Sequence, residues 1–141
     1  MVDRRFVASL AFATSILAHP AGAQGGAAHI PRSQIEAIFA DMKAHTSWDV
    51  GGKLLWGYYF TSTSKPALET AANLLVGQGY TLVEIRELPG SAADGAVWQL
   101  HVERVEHHTP DSLVTRDDEL YAFASSRGLA GYDGMDVGPV K

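Results

Sequence analysis

The run LLWGYYFTS, from Leu54 to Ser62, limits the fold more than any other stretch of the chain. Aromatic side chains suit a pleated surface. Side chains alternate along a strand, so Trp56, Tyr58 and Phe60 share one face, and Leu55, Gly57, Tyr59 and Thr61 the other. Both faces are largely apolar, which marks an interior strand covered on at least one side. Gly57 weakens its middle unless another group approaches closely.

The flanking segments supply the neighbours and the cover. Ser33-Gln34-Ile35-Glu36 has the form of a capping box and predicts a helix start. Ile35, Ile38, Phe39 and Met42 then recur on one face, and the helix fades by His45-Thr46. A second helix is predicted from Ser64 to Val76, with Ser64 as cap, Pro66 in the first turn and Gly77-Gln78-Gly79 as the stop. Its buried stripe is Leu68, Ala71, Ala72 and Leu75. Tyr80 to Leu88 reads as a strand with Val83 and Ile85 on one face and Glu84 and Arg86 on the other. Pro89 to Gly95 is turn chemistry. In the next strand Trp98, Leu100 and Val102 alternate with Gln99, His101 and Glu103, whose face is expected to be wet. Thr109-Pro110 opens a third helix, apolar at Leu113, Leu120, Phe123 and Ala124 and ended by Gly128. Gly131 to Gly134 is predicted as a turn, followed by a short edge strand through Met135, Val137 and Val140. Pro139 lacks an N–H and fits only an edge. The order is α, then β-α-β-β-α-β. The predicted class is α+β: a ferredoxin-like split βαβ, with an antiparallel sheet, helices on one face and an extra N-terminal helix.

Composition narrows the function. The 141 residues suffice for one domain, and 46% hydrophobic with 19% charged residues is a globular balance. A net charge of −5 opposes a nucleic-acid surface, which needs a concentrated basic stripe. The chain has no cysteine, so disulfides, thiol chemistry and Cys-based zinc sites are excluded.

The N-terminus reads as a secretory leader over residues 1–23. Arg4 and Arg5 begin it, Phe6 to Ala18 carries no charge, and Ala21-Gly22-Ala23 places small residues before a cleavage point between Ala23 and Gln24. The apolar run is shorter than the roughly 20 residues that span a bilayer. Residues 24–32 are expected to form a flexible leader, and residues 33–141 the domain. The expected location is periplasmic or secreted, with no membrane association once the leader is gone. Its removal takes away two arginines and one aspartate, leaving the remainder more acidic.

Three stretches carry a family likeness: WGYYFTS at Trp56 to Ser62, GYTLVEI at Gly79 to Ile85, and YDGMDVG at Tyr132 to Gly138. With VWQLHVERV and the helix after HTPDSL, they resemble the RraB family, the ribonuclease E inhibitor B proteins, over about Ile35 to Val140. The family pattern usually has Trp after Tyr-Asp-Gly; Met135 stands there in this chain. The resemblance implies a small acidic α+β domain that binds a protein and performs no chemistry. Family members act in the cytoplasm on an endoribonuclease, which an exported domain would not meet. The expected role is therefore an exported protein-binding module of inhibitor or immunity type. The alternative is a cytoplasmic ribonuclease E inhibitor.

No catalytic residues, metal site or cofactor are expected. His101, His107 and His108 are ligands by residue type, but adjacent strand residues point to opposite faces, and all three read as solvent-facing. Trp56, Tyr58, Tyr59 and Trp98 are read chiefly as core. Asp133 and Asp136 around Gly134 fit turn geometry. Together with Asp117, Asp118, Glu119, Tyr132 and Met135 they also form a candidate contact surface for a basic protein partner.

Overall fold

A computed structural model describes residues 6–8, 29–89 and 95–141. The cleavage point at Ala23-Gln24, nearly all of the leader, and most of the expected turn from Pro89 lie outside the described residues. The elements are β1 (Phe6–Ala8), α1 (Arg32–His45), β2 (Leu54–Ser62), α2 (Lys65–Gly77), β3 (Thr81–Glu87), β4 (Trp98–Glu106), α3 (Pro110–Ser126) and β5 (Gly131–Gly138). The sheet order is β1-β5-β2-β4-β3, and every pairing is antiparallel. The four longer strands and α2 and α3 form the split βαβ, with α1 added before it. The three residues of β1 extend the sheet along β5.

β2 lies at the centre. Trp56, Tyr58 and Phe60 are essentially inaccessible, and their partners across the sheet include Val102, Leu100, Met135 and Val137. Helices α1 and α3 reach this row through aromatic contacts. Phe39 of α1 packs on Trp56, and Phe123 of α3 meets Phe60 edge-on. The predicted stripes Ile35, Ile38, Phe39 and Met42 of α1, and Leu68, Ala71, Ala72 and Leu75 of α2, are buried.

Four local expectations differ from the structure. α1 begins one residue before Ser33: Pro31 is the N-cap, and its carbonyl accepts from the amides of Gln34 and Ile35. Ser33 makes no cap, and Glu36 pairs with Arg32 at 2.9 Å. Residues 131–134 are strand, not turn. Asp133 is an extra residue in β5 opposite the Tyr59–Phe60 step, and Gly134 absorbs the bulge at φ 109°. β3 also carries a bulge. Leu82 aligns with Val102 and Glu84 with His101, so Val83 is the extra residue and does not share a buried face with Ile85. Finally, His108 is buried, only 5% exposed. It leaves β4 for the α3 N-terminus and turns inward instead of facing solvent.

The other caps are as predicted. Ser64 accepts from the Ala67 amide, and Thr109 and Ser112 form a reciprocal box at α3. Ser64→Ala and Thr109→Ala should each destabilise the protein by about 1 kcal/mol, whereas Ser33→Ala should change it by less than about 0.3 kcal/mol. Urea unfolding of the three variants measures this.

Candidate functional site

The C-terminal end of β4 and the first two turns of α3 enclose a surface cleft of about 330 Å³. It is lined by Glu106, His107, His108, Ser112, Thr115, Arg116 and Glu119. Its inner wall is a hydrogen-bonded chain. The Tyr58 hydroxyl donates to Glu106 Oε2 at 2.6 Å. That uses its only proton, so the 3.0 Å contact with His108 Nε2 requires the imidazole to donate. His108 Nδ1 lies 2.9 Å from the Ser112 hydroxyl, which also reaches the Thr109 carbonyl at 3.3 Å. The Ser112 oxygen in turn accepts the Thr109 amide at 2.9 Å. Arg116 closes the chain from the other side, at 2.7 Å from Glu106 Oε1 and 2.9 Å from Glu119.

This wiring sets the charges. Burial pushes the Glu106 carboxyl up, but hydrogen bonds from His108, Tyr58 and Arg116 outweigh it and hold it at about 2. Burial raises the Tyr58 phenol well above its ordinary range, and neighbouring Glu106 raises it further. Burial lowers the Arg116 guanidinium, and the bond to Glu106 more than reverses this. Arg104 and Arg116 both lie over the Tyr80 ring, 5.1 and 5.9 Å from its centroid. Ser112 resembles a nucleophile beside a histidine. Its oxygen is occupied by the helix cap, however, so the arrangement anchors α3 to the sheet.

A second polar cluster joins α3 to β5. Asp117 is 3% exposed and accepts the Tyr132 hydroxyl at 2.7 Å through Oδ1. Among the described residues its Oδ2 is buried without a hydrogen-bond partner. Burial pushes this carboxyl up to about 7; the Tyr132 bond opposes the rise and the Asp118 charge adds to it. Tyr121 packs edge-on against Tyr132 at 4.9 Å and accepts the Ile30 amide at 3.1 Å. His29 stacks on Tyr121 at 3.9 Å and reaches Asp118 at 3.2 Å. Residues 29 and 30 are thereby clasped to α3.

The predicted contact residues therefore do not share one surface. Asp118 and Glu119 are exposed and Asp133 is half-buried, bonded to Gln99 at 3.0 Å. Asp117, Tyr132, Met135 and Asp136 are buried. Asp136 lies on the sheet face opposite the helices and takes the Tyr59 hydroxyl at 2.7 Å. On that face His101 stacks against Tyr59 at 4.3 Å and is only 14% exposed, so it is drier than expected. His107 is exposed beyond the end of β4. Among the described residues, no three His, Cys, Asp or Glu side chains come together as a metal site. Sequence reasoning missed Glu106 and Arg116. The burial of Asp117 was legible: Leu113, Asp117, Leu120 and Ala124 fall on one stripe of α3.

Fold and site together define a small split βαβ domain whose buried polar groups hold its elements to one another. Residues 32–137 match the family model described as RraB, Regulator of ribonuclease activity B. The match covers more than half of the chain, which belongs to this family. By its description the family is a regulatory one. No match was found among curated proteins. Among the described residues no helix is long and apolar enough to cross a membrane.

The two buried carboxyls act on stability in opposite directions. Asp117 is raised, so the folded state holds its proton more tightly than the unfolded chain. Stability from this group is present below pH 3.8, falls as pH rises, and is fully lost above about pH 7. At ~1.4 kcal/mol per pH unit the loss is roughly 4 kcal/mol at most. Glu106 is depressed, so its contribution is present above pH 4.5 and is lost as pH falls towards about 2. Asp117→Asn, which keeps an acceptor for Tyr132, should gain at least about 1 kcal/mol over the parent at pH 8 relative to pH 5. Urea titrations at the two pH values provide the measurement.

Proposed function

We propose that this chain is an exported RraB-family domain that acts by binding a protein partner and carries out no reaction. Residues 1–23 serve as a removable leader, while Ile30, buried in the core, and Arg32, which begins α1, already belong to the domain. The carrying observation is family membership over residues 32–137. The cleft is consistent with it, because Ser112 and His108 are committed to each other and to the α3 cap. The leader reading rests on the basic start, the uncharged run and the small residues before Gln24.

The partner is basic, and the contact uses the exposed acids of α3. Asp111, Asp118 and Glu119 are exposed on α3, and Glu119 lines the cleft. Their bonds to Arg32, His29 and Arg116 are surface pairs, weak enough to be exchanged for a partner's cations. Asp118→Lys with Glu119→Lys should reduce capture of the partner from a periplasmic extract at least tenfold, while Asp117→Asn leaves it intact. Capture indifferent to the double reversal refutes the acidic contact.

A second reading is a cytoplasmic inhibitor of ribonuclease E. One observation favours it: Phe6–Ala8, inside the stretch that export would remove, is paired into the sheet. Mass spectrometry of the native N-terminus separates the readings. A chain starting at Gln24 fits export; one that keeps its N-terminal residues in the cytosol refutes it.

A further inference from the structure

The two outer edges of the sheet are built differently. β3 is interrupted by its bulge at Val83 and carries Glu84, Arg86 and Glu87, devices that deter pairing with another strand. On the other side β5 has its bulge at Asp133-Gly134, ahead of the segment that β1 pairs with. Met135, Asp136, Val137 and Gly138 form a buried, regular segment, and among the described residues its outer edge pairs with Phe6–Ala8. Phe6 lies opposite Val137, Val7 opposite Asp136 and Ala8 opposite Met135. Those three residues belong to the leader. Cleavage at Gln24 would remove them and leave the backbone donors and acceptors of β5 without a strand.

We propose that the outer edge of β5 is a strand-acceptor site. In the precursor it is filled by the chain's own Phe6–Ala8, and in the processed protein by an extended segment of the partner. This rests on the export reading given above. The chemistry of the occupant follows from the register. It runs antiparallel to β5, with apolar residues opposite Val137 and Met135 and an uncharged or basic residue opposite Asp136. The chain's own segment has this character: Phe6 and Ala8 stand opposite Val137 and Met135, and the uncharged Val7 opposite Asp136. A second copy of β5 is a poor occupant: pairing centred on the same three residues would set Asp136 against Asp136.

The test uses residues 24–141 beside the full chain, after circular dichroism has shown both to be folded. A fluorescent peptide spanning Asp3 to Ser9 is titrated into each. Saturable binding to the processed form, at least tenfold weaker binding to the full chain, and NMR shifts at the amides of residues 135–138 are expected. N-methylation of the peptide backbone should be tolerated at alternate residues only, because every second N–H of a paired strand points at its neighbour. Replacing Val7 of the peptide, which pairs with Asp136, by Glu should weaken binding. Absence of binding to a folded processed form overturns the proposal, as does equal binding to both forms. A processed form that dimerises through β5 and excludes the peptide overturns the choice of occupant. Failure here is distinct from failure of the export reading, which is decided by the native N-terminus and not by the recombinant edge.

Discussion

Tyr58 places a phenol hydroxyl inside the core. A buried hydroxyl without a partner is destabilising by roughly 1–3 kcal/mol, and much of the surrounding architecture meets this need. Glu106 accepts its proton, His108 donates to its oxygen, and Arg116 neutralises the carboxylate. These partners come from β4, from the connection after it and from α3, while Tyr58 itself sits on β2. One hydroxyl therefore fixes how the second crossover leaves the sheet and where α3 lies. The same arrangement determines the cleft: its wall consists of groups already satisfied by each other, which suits recognition of an outside surface better than bond making.

The regular elements were legible wherever a single periodicity governed them. Trp56, Tyr58 and Phe60 declared β2, because large rings at every second position line up only on a pleated strand. Leu68, Ala71, Ala72 and Leu75 declared α2, with Ser64 and Pro66 marking its start. The bulges were illegible for a physical reason. Asp133-Gly134 has the composition of a turn, and only the register against Tyr59 and Phe60 shows that the positive φ of Gly134 is used inside a strand. A one-residue insertion leaves no local trace when both of its neighbours look like loop.

The site was less legible, because charge in sequence says nothing of burial. Asp117-Asp118-Glu119 reads as one acidic run, yet the helix turns about 100° per residue and sends the first inward and the next two outward. The inward aspartate lies on the stripe of Leu113, Leu120 and Ala124, and its partner Tyr132 comes from a strand fifteen residues on. His108 was similarly hidden. Its neighbour His107 is exposed, and the inward turn of His108 depends on Tyr58, fifty residues earlier.

The edges of the sheet show how the same chain can be cautious at one side and dependent at the other. β3 leaves Leu82 and Val83 substantially exposed, 45% and 44%, yet surrounds them with charge and breaks the ladder between them. β5 is regular past its bulge and buried, and among its residues only aspartates are charged. An edge of that kind is tolerable when something covers it, and a three-residue strand is the least that can do so. So short a strand contributes few ladder bonds, and displacing it requires little free energy compared with unfolding the helices or β2. What its register shows is occupancy of the edge at Met135, Asp136 and Val137, and an occupant held by so few bonds can be exchanged.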